Sequence, residues 1–161
     1  MSTASESNET SSSPAPGTIE MKLEVVAIPV ADVDRAKAFY AGLGWRLDAD
    51  FELGGDVRVV QFTPTRSECS VAFGRGLVSA APGSAERLEI VVSDIEAARA
   101  DLLARGVEVS DFFHRGESGI EPGLDPQRAS YQSYASFSDP DGNTWVLQEV
   151  NERLLGRVWE E

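Results

Sequence analysis

One short pattern occurs twice in this chain at a single offset. Val30-Ala-Asp32-Val33-Asp-Arg-Ala36-Lys-Ala38 returns 62 residues later as Val92-Ser-Asp94-Ile95-Glu-Ala-Ala98-Arg-Ala100. Gly44 and Trp45 return at the same offset as Gly106 and Val107, and upstream Glu24 and Ile28 match Glu86 and Ile90. Self-similarity at a fixed period means two copies of one supersecondary unit. The 161 residues suit one domain, or two small halves sharing a core.

The two copies share a grammar. An apolar, β-branched run, Val25–Val30 or Leu88–Val92, reads as a strand. A cap follows, Asp32 in the first copy and Ser93 or Asp94 in the second, where Ser93-x-x-Glu96 has capping-box spacing. Helical periodicity comes next, through Val33, Ala36, Phe39, Tyr40 and Leu43, then Ile95, Ala98 and Leu102. Gly44 and Gly106 are placed to stop the helices. Three further strands are expected in each copy: 46–53, 57–63 and 70–74 in the first, 107–113, 132–138 and 144–150 in the second. Asp139-Pro140-Asp141-Gly142-Asn143 forms the last hairpin. The expected fold is α+β: two βαβββ modules, about 21–76 and 85–150, forming a curved eight-stranded mixed sheet around a cleft. A linker near 77–84 joins them. The Ser- and Thr-rich stretch 1–20 cannot bury enough surface to order itself and is expected to be a disordered tail. Residues 151–161 are expected to form a short helix or tail.

Composition narrows the function classes. A net charge of −13 disfavours nucleic acid, whose backbone is bound through clustered Lys and Arg. One cysteine and one histidine exclude a disulfide framework, a thiolate zinc site and any site needing two imidazoles. No apolar run approaches the roughly 20 residues of a membrane helix, and no secretory signal is legible. The expected setting is the cytoplasm, without a membrane partner.

The residues Asp32-Val-Asp-Arg-Ala-Lys-Ala-Phe-Tyr40, Leu43-Gly44-Trp45 and Asp139-Pro-Asp-Gly-Asn-Thr-Trp-Val-Leu-Gln-Glu149 resemble the vicinal-oxygen-chelate superfamily. That superfamily includes glyoxalase I, bleomycin-resistance and fosfomycin-resistance proteins and extradiol dioxygenases. The resemblance covers about residues 21–150. It implies a scaffold shared by metal enzymes and binding proteins, so chemistry must be read from the site. In the enzymes a divalent metal holds two neighbouring substrate oxygens. Carried over by position, its ligands would be Val25, Arg87 and Val146, with a fourth near Ser70. Valine has no donor atom, and guanidinium has no lone pair. No metal or other cofactor is therefore expected. The nearby Glu24, Glu86 and Glu149 could form a displaced carboxylate site, although a one-residue shift on a strand reverses the face.

By alternation, Val25 and Ala27, Arg87 and Glu89, and Val146 and Gln148 project toward the cleft. That lining is mostly apolar with a few polar groups, as in small-molecule sites, and Arg87 is suited to a carboxylate or phosphate or to an ion pair with Glu89. His114, next to the long loop 116–130, and Tyr134 are the candidate acid–base residues. Cys69 reads as an inert thiol, and Trp45 and Trp145 as packing residues. Two functions follow: a homodimeric protein that sequesters a small organic molecule, or a glyoxalase-like or dioxygenase-like enzyme. The acid excess suits a cationic ligand. Dimerisation is implied by the resemblance and by the open sheet edges of a lone chain.

Overall fold

The computed structural model describes residues 15–154. In the first module β1 (Val25–Ala27) leads into α1 (Val33–Gly42), β2 (Arg46–Leu53), β3 (Val57–Thr63) and β4 (Ser70–Arg75). The second runs through β5 (Leu88–Val92), α2 (Ile95–Ala104), β6 (Phe113–Gly116), β7 (Gly119–Pro122), β8 (Ser133–Ser138) and β9 (Thr144–Glu149). The class is α+β, with the repeat visible as two strand–helix–strand units. Most of the proposed tail lies outside the described residues, as do residues 155–161 of the C-terminal segment. Residues 151–154 form no helix, and no described helix is long and apolar enough to cross a membrane.

The repeated aspartates start the helices. The Asp32 and Asp94 carboxylates each accept the backbone N–H three residues on, at 3.0 Å, an interaction worth about 1 kcal/mol. The expected Ser93–Glu96 box does not form. Asp94 holds the cap, and Glu96 reaches Arg128 instead, at 3.4 Å. Gly44 and Gly106 follow the C-caps with φ of +81° and +83°, a turn that glycine makes without steric cost.

The strands pair as β1-β4-β3-β2 and as β5-β9-β8-β6-β7. The expected single eight-stranded sheet is therefore divided into sheets of four and five strands, with β1 and β5 each at an edge. Pro29 explains the short β1. It has no N–H to donate, and its carbonyl accepts from Gly83 N and the Asn143 side chain rather than from a strand. Residues 107–112 are not the sixth strand. There the Ser110 hydroxyl, not its carbonyl, accepts the Ser136 N–H at 2.9 Å, which interrupts the ladder. The strand begins at Phe113, and the loop 116–130 contains a hairpin partner, β7.

One contiguous core serves both modules. Val60, Phe62 and Phe73 of the first sheet and Phe137, Trp145 and Leu147 of the second pack against α1 and α2. Each fully buried large apolar side chain contributes about 1.5–3 kcal/mol. Tyr40, fully buried, stands at the centre, with ring centroids of Trp45, Phe73, Phe62 and Trp145 5.4–6.2 Å away.

The Asp139–Asn143 hairpin joins the modules through hydrogen bonds. Buried Asp139 accepts from the Tyr40 hydroxyl at 2.8 Å, the Asn143 side-chain amide at 2.8 Å, Asn143 N at 3.0 Å and Asp141 N at 2.9 Å. Burial and the Asp139 carboxylate push the Tyr40 hydroxyl far above the usual phenol range, so it remains a donor. Asn143 also donates to Pro29 O and accepts from Ala85 N, while Asp141 accepts from Ala31 N at the head of α1. Gly83 closes against this hairpin. A Cβ there would lie 2.0 Å from the Asp141 carbonyl oxygen, and φ is +80°.

Ion pairs anchor the helices to their sheets. Arg58 and Lys37 hold the Asp50 carboxyl well below the usual range, linking α1, β2 and β3. Arg128, aided by the Ile95 N–H, holds the carboxyl of buried Glu149 below its usual range. A carboxyl depressed in the folded state stabilises the protein above its unfolded pKa of about 4, and that stabilisation is lost as pH falls toward the lower folded value. Denaturation midpoints should therefore decline as pH drops below about 4. Asp50→Asn should be less stable at neutral pH and show a shallower acid decline. An unchanged slope would contradict this assignment.

Candidate functional site

Each sheet has one face on the helices and one turned away from them, and alternation sorts the side chains between them. On the first sheet β1 turns Val26 and Ile28 toward the core. Val25 and Ala27 lie on the other face, exposed, beside Ser70 and Ala72 of β4. On the second sheet Glu89, Val146 and Ser136 form one row across β5, β9 and β8. Val91, Gln148, Tyr134 and Phe113 form the next.

Much of this second row is committed to internal bonds. The Gln148 side-chain amide donates to the Tyr134 hydroxyl and to Tyr131 O, both at 3.2 Å. The Tyr134 hydroxyl in turn donates to Tyr131 O at 2.8 Å and accepts from Arg115 Nε at 3.2 Å. Phe113 stacks on the Tyr134 ring at 5.5 Å. His114 points to the opposite face of β6, where Nδ1 lies 2.8 Å from Gly123 O and Nε2 3.3 Å from Glu121 Oε2. The structure therefore does not bring His114 and Tyr134 together.

A cleft of about 550 Å³ opens between the sheets, where β1 and the head of β4 face β5. Leu23, Val26, Leu88, Ile90 and Trp145 give it apolar walls. Its polar lining includes Arg66, Arg87, Arg153, Glu89, Cys69 and Ser70. Of the residues assigned from the sequence, Arg87 and Glu89 line this cleft, whereas Val25, Ala27, Val146 and Gln148 lie on the faces beside it. Arg87 does not pair with Glu89. It precedes β5 in a left-handed conformation, φ +56°, with its N–H donated to the Thr144 hydroxyl at 2.7 Å. Arg66 and Arg153 were not legible as site residues, because they sit in the β3–β4 turn and after β9, where no periodicity assigns a direction. A second hollow of about 620 Å³, between residues 106–110 and β8, is lined by no cationic side chain.

Burial and nearby Glu24 push the Cys69 thiol up, which reduces its thiolate fraction and its value as a nucleophile. Across the first sheet a polar chain runs from Arg46 to Asp48, on to the Thr63 hydroxyl and, at 2.7 Å, to Ser70 Oγ. Hydrogen bonding to Arg46, then to Thr63, holds the Asp48 carboxyl below the usual range.

These residues do not fit a divalent cation. At the positions that the family resemblance assigns to ligands stand two valines, a guanidinium, and a serine whose hydroxyl is shared with Thr63. The displaced carboxylates do not converge either. Glu149 faces the core, accepting from Ile95 N at 3.0 Å and from Arg128 at 2.7 Å. Glu24 and Glu86 are exposed ahead of their strands. Among the described residues no three His, Cys, Asp or Glu side chains are grouped as a metal site requires.

Comparison with known proteins gives a consistent fold. The family model of the Glyoxalase/Bleomycin resistance protein/Dioxygenase superfamily matches residues 22–147. TnmS3, an antibiotic binding protein from Streptomyces sp. CB03234, is 30% identical over 83% of this chain and 99% of its own, with a TM-score of 0.65. A glyoxalase/bleomycin resistance protein from the same Streptomyces strain is 32% identical, covering 78% of this chain and 97% of its own, with a TM-score of 0.59. A superfamily member from Sphaerobacter thermophilus is 26% identical, covering 81% and 98%, with a TM-score of 0.61. No curated protein matches the chain significantly.

Proposed function

The chain belongs to the Glyoxalase/Bleomycin resistance protein/Dioxygenase superfamily, and from that premise we propose that it binds and sequesters a small organic molecule in the cleft between its sheets. The observation that carries this reading is the donor set. Where a metal-dependent relative needs lone pairs, this chain has Val25, Arg87 and Val146, and the buried carboxylate of Glu149 is occupied by α2 and Arg128. The cleft has the volume of a small-molecule site and combines apolar walls with polar and charged groups. TnmS3, 30% identical to this chain, is described as an antibiotic binding protein.

Metal-free acid–base chemistry has less support. The His114 ring is buried and held by Gly123 and Glu121 on the far face of β6, and the Tyr134 hydroxyl already has its donor and acceptor partners. Neither residue is in the lining of the cleft.

The same reading includes a homodimer. The face of the first sheet turned away from α1 carries Val25, Phe51 and Leu53 at 41%, 58% and 55% exposure, and a second copy would cover them.

Three measurements test this reading. Protein purified without chelator should carry far less than one equivalent of Ni, Zn, Mn or Fe, and organic ligands should raise its Tm equally with and without EDTA. One tightly held equivalent of metal, or a Tm gain that EDTA abolishes, would overturn the binding-protein assignment. Sedimentation should give a dimer at micromolar concentration. A monomer there would remove the dimer from the account.

A further inference from the structure

In a chain with 27 acidic and 14 basic residues, arginines find carboxylate partners easily. Seven of the eleven described arginines sit in ion pairs, and Arg115 donates to the Tyr134 hydroxyl. The other three are Arg66, Arg87 and Arg153. Among the described residues none of the three has a side-chain hydrogen bond or a carboxylate within ion-pair distance, and all three line the inter-sheet cleft. Among the described residues Glu89 is the one carboxylate in that lining, so the cleft is cationic inside an acidic protein.

Backbone conformation adds a second observation. Arg66 and Arg87 have φ of +64° and +56°. The left-handed region crowds a Cβ against the backbone, a cost that glycine would not incur. Among the described residues neither side chain offsets that cost with a hydrogen bond or an ion pair. Both stand at the mouth of a cavity, where strained residues commonly serve ligands.

We infer that the cleft takes an amphipathic organic anion: an apolar body against Leu23, Val26, Leu88, Ile90 and Trp145, with a carboxylate or phosphate met by Arg66 and Arg87 and supported by Arg153. This rests on the binding function proposed above and reverses the preference for a cationic ligand drawn from net charge. Net charge averages over the whole surface, whereas a ligand meets the local lining. A guanidinium fork matches the oxygens of a carboxylate or phosphate, and the pairing strengthens where apolar walls exclude water.

The test uses four probes that share one ring system: 2-naphthoate, 2-naphthyl phosphate, neutral 2-naphthamide and cationic 2-naphthylmethylamine. Affinity is measured by calorimetry, and location by protection of Cys69, which lines the same cleft, from alkylation at alkaline pH. At least one anion should bind about tenfold or more tightly than the amide, weaken with added salt and protect Cys69. Whichever anion binds more tightly identifies the acid group. Arg66→Gln and Arg87→Gln should each lower anion affinity about tenfold and leave amide affinity unchanged. Both variants should keep Tm within about 2 °C, since neither side chain bonds to the protein. Unchanged anion affinity in both variants, or tighter binding of the amine, overturns the inference. If only the amide or the amine protects Cys69, the anion assignment falls and the binding function stands. If none of the four binds or protects, both fall together.

Discussion

The buried carboxylate of Asp139 is the interaction on which the rest of the structure depends. Removing a charge from water costs several kcal/mol unless its lone pairs are met, and here four donors meet them. One donor is the Tyr40 hydroxyl, from the helix of the other module. Another is Asn143, which also donates to Pro29 at the end of β1 and accepts from Ala85 just ahead of β5. The hairpin thus fixes the first strand of each module relative to the other. The aromatic packing of Tyr40, Trp45 and Trp145 fills the space around this polar centre.

The cleft follows from that placement. β1 and β5 are sheet edges held near each other by side chains and turns, without a shared ladder, so a gap of about 550 Å³ remains between them. With the division, residues that precede or follow the strands, namely Arg66, Arg87 and Arg153, join the lining. The acid–base and carboxylate groups most suited to chemistry are directed elsewhere: Glu149 to the head of α2, His114 beneath β6, and Asp50 to Arg58 and Lys37. That distribution supports the binding function proposed above.

The helices were legible because their signals are local. An aspartate cap, a 3.6-residue period and a glycine stop act within a few residues, and both copies obey them. The strands 46–53, 57–63 and 88–92 were equally legible, since alternation and turns bound them. The sixth strand was displaced because one hydroxyl, Ser110 Oγ, took a bond that a strand would give to a carbonyl. The β6–β7 hairpin was missed, although Gly116 and Gly119 around Glu117-Ser118 offered a short-turn signal. Alternation did place Val25, Ala27, Glu89, Val146 and Gln148 on the faces turned away from the helices. It could not show which of those residues border the gap, because the gap is set by contacts between segments more than fifty residues apart, such as Asn143 with Ala85 and Pro29.

The central claim, that Asp139 couples the modules through Tyr40 and Asn143, is tested most directly by a double-mutant cycle. Unfolding free energies of Tyr40→Phe, Asn143→Ala and the double variant are compared with the parent. The account predicts a coupling of about 1 kcal/mol or more, because both substitutions strip donors from the same carboxylate. Additivity to within about 0.3–0.5 kcal/mol would show that the two residues act independently and would contradict it.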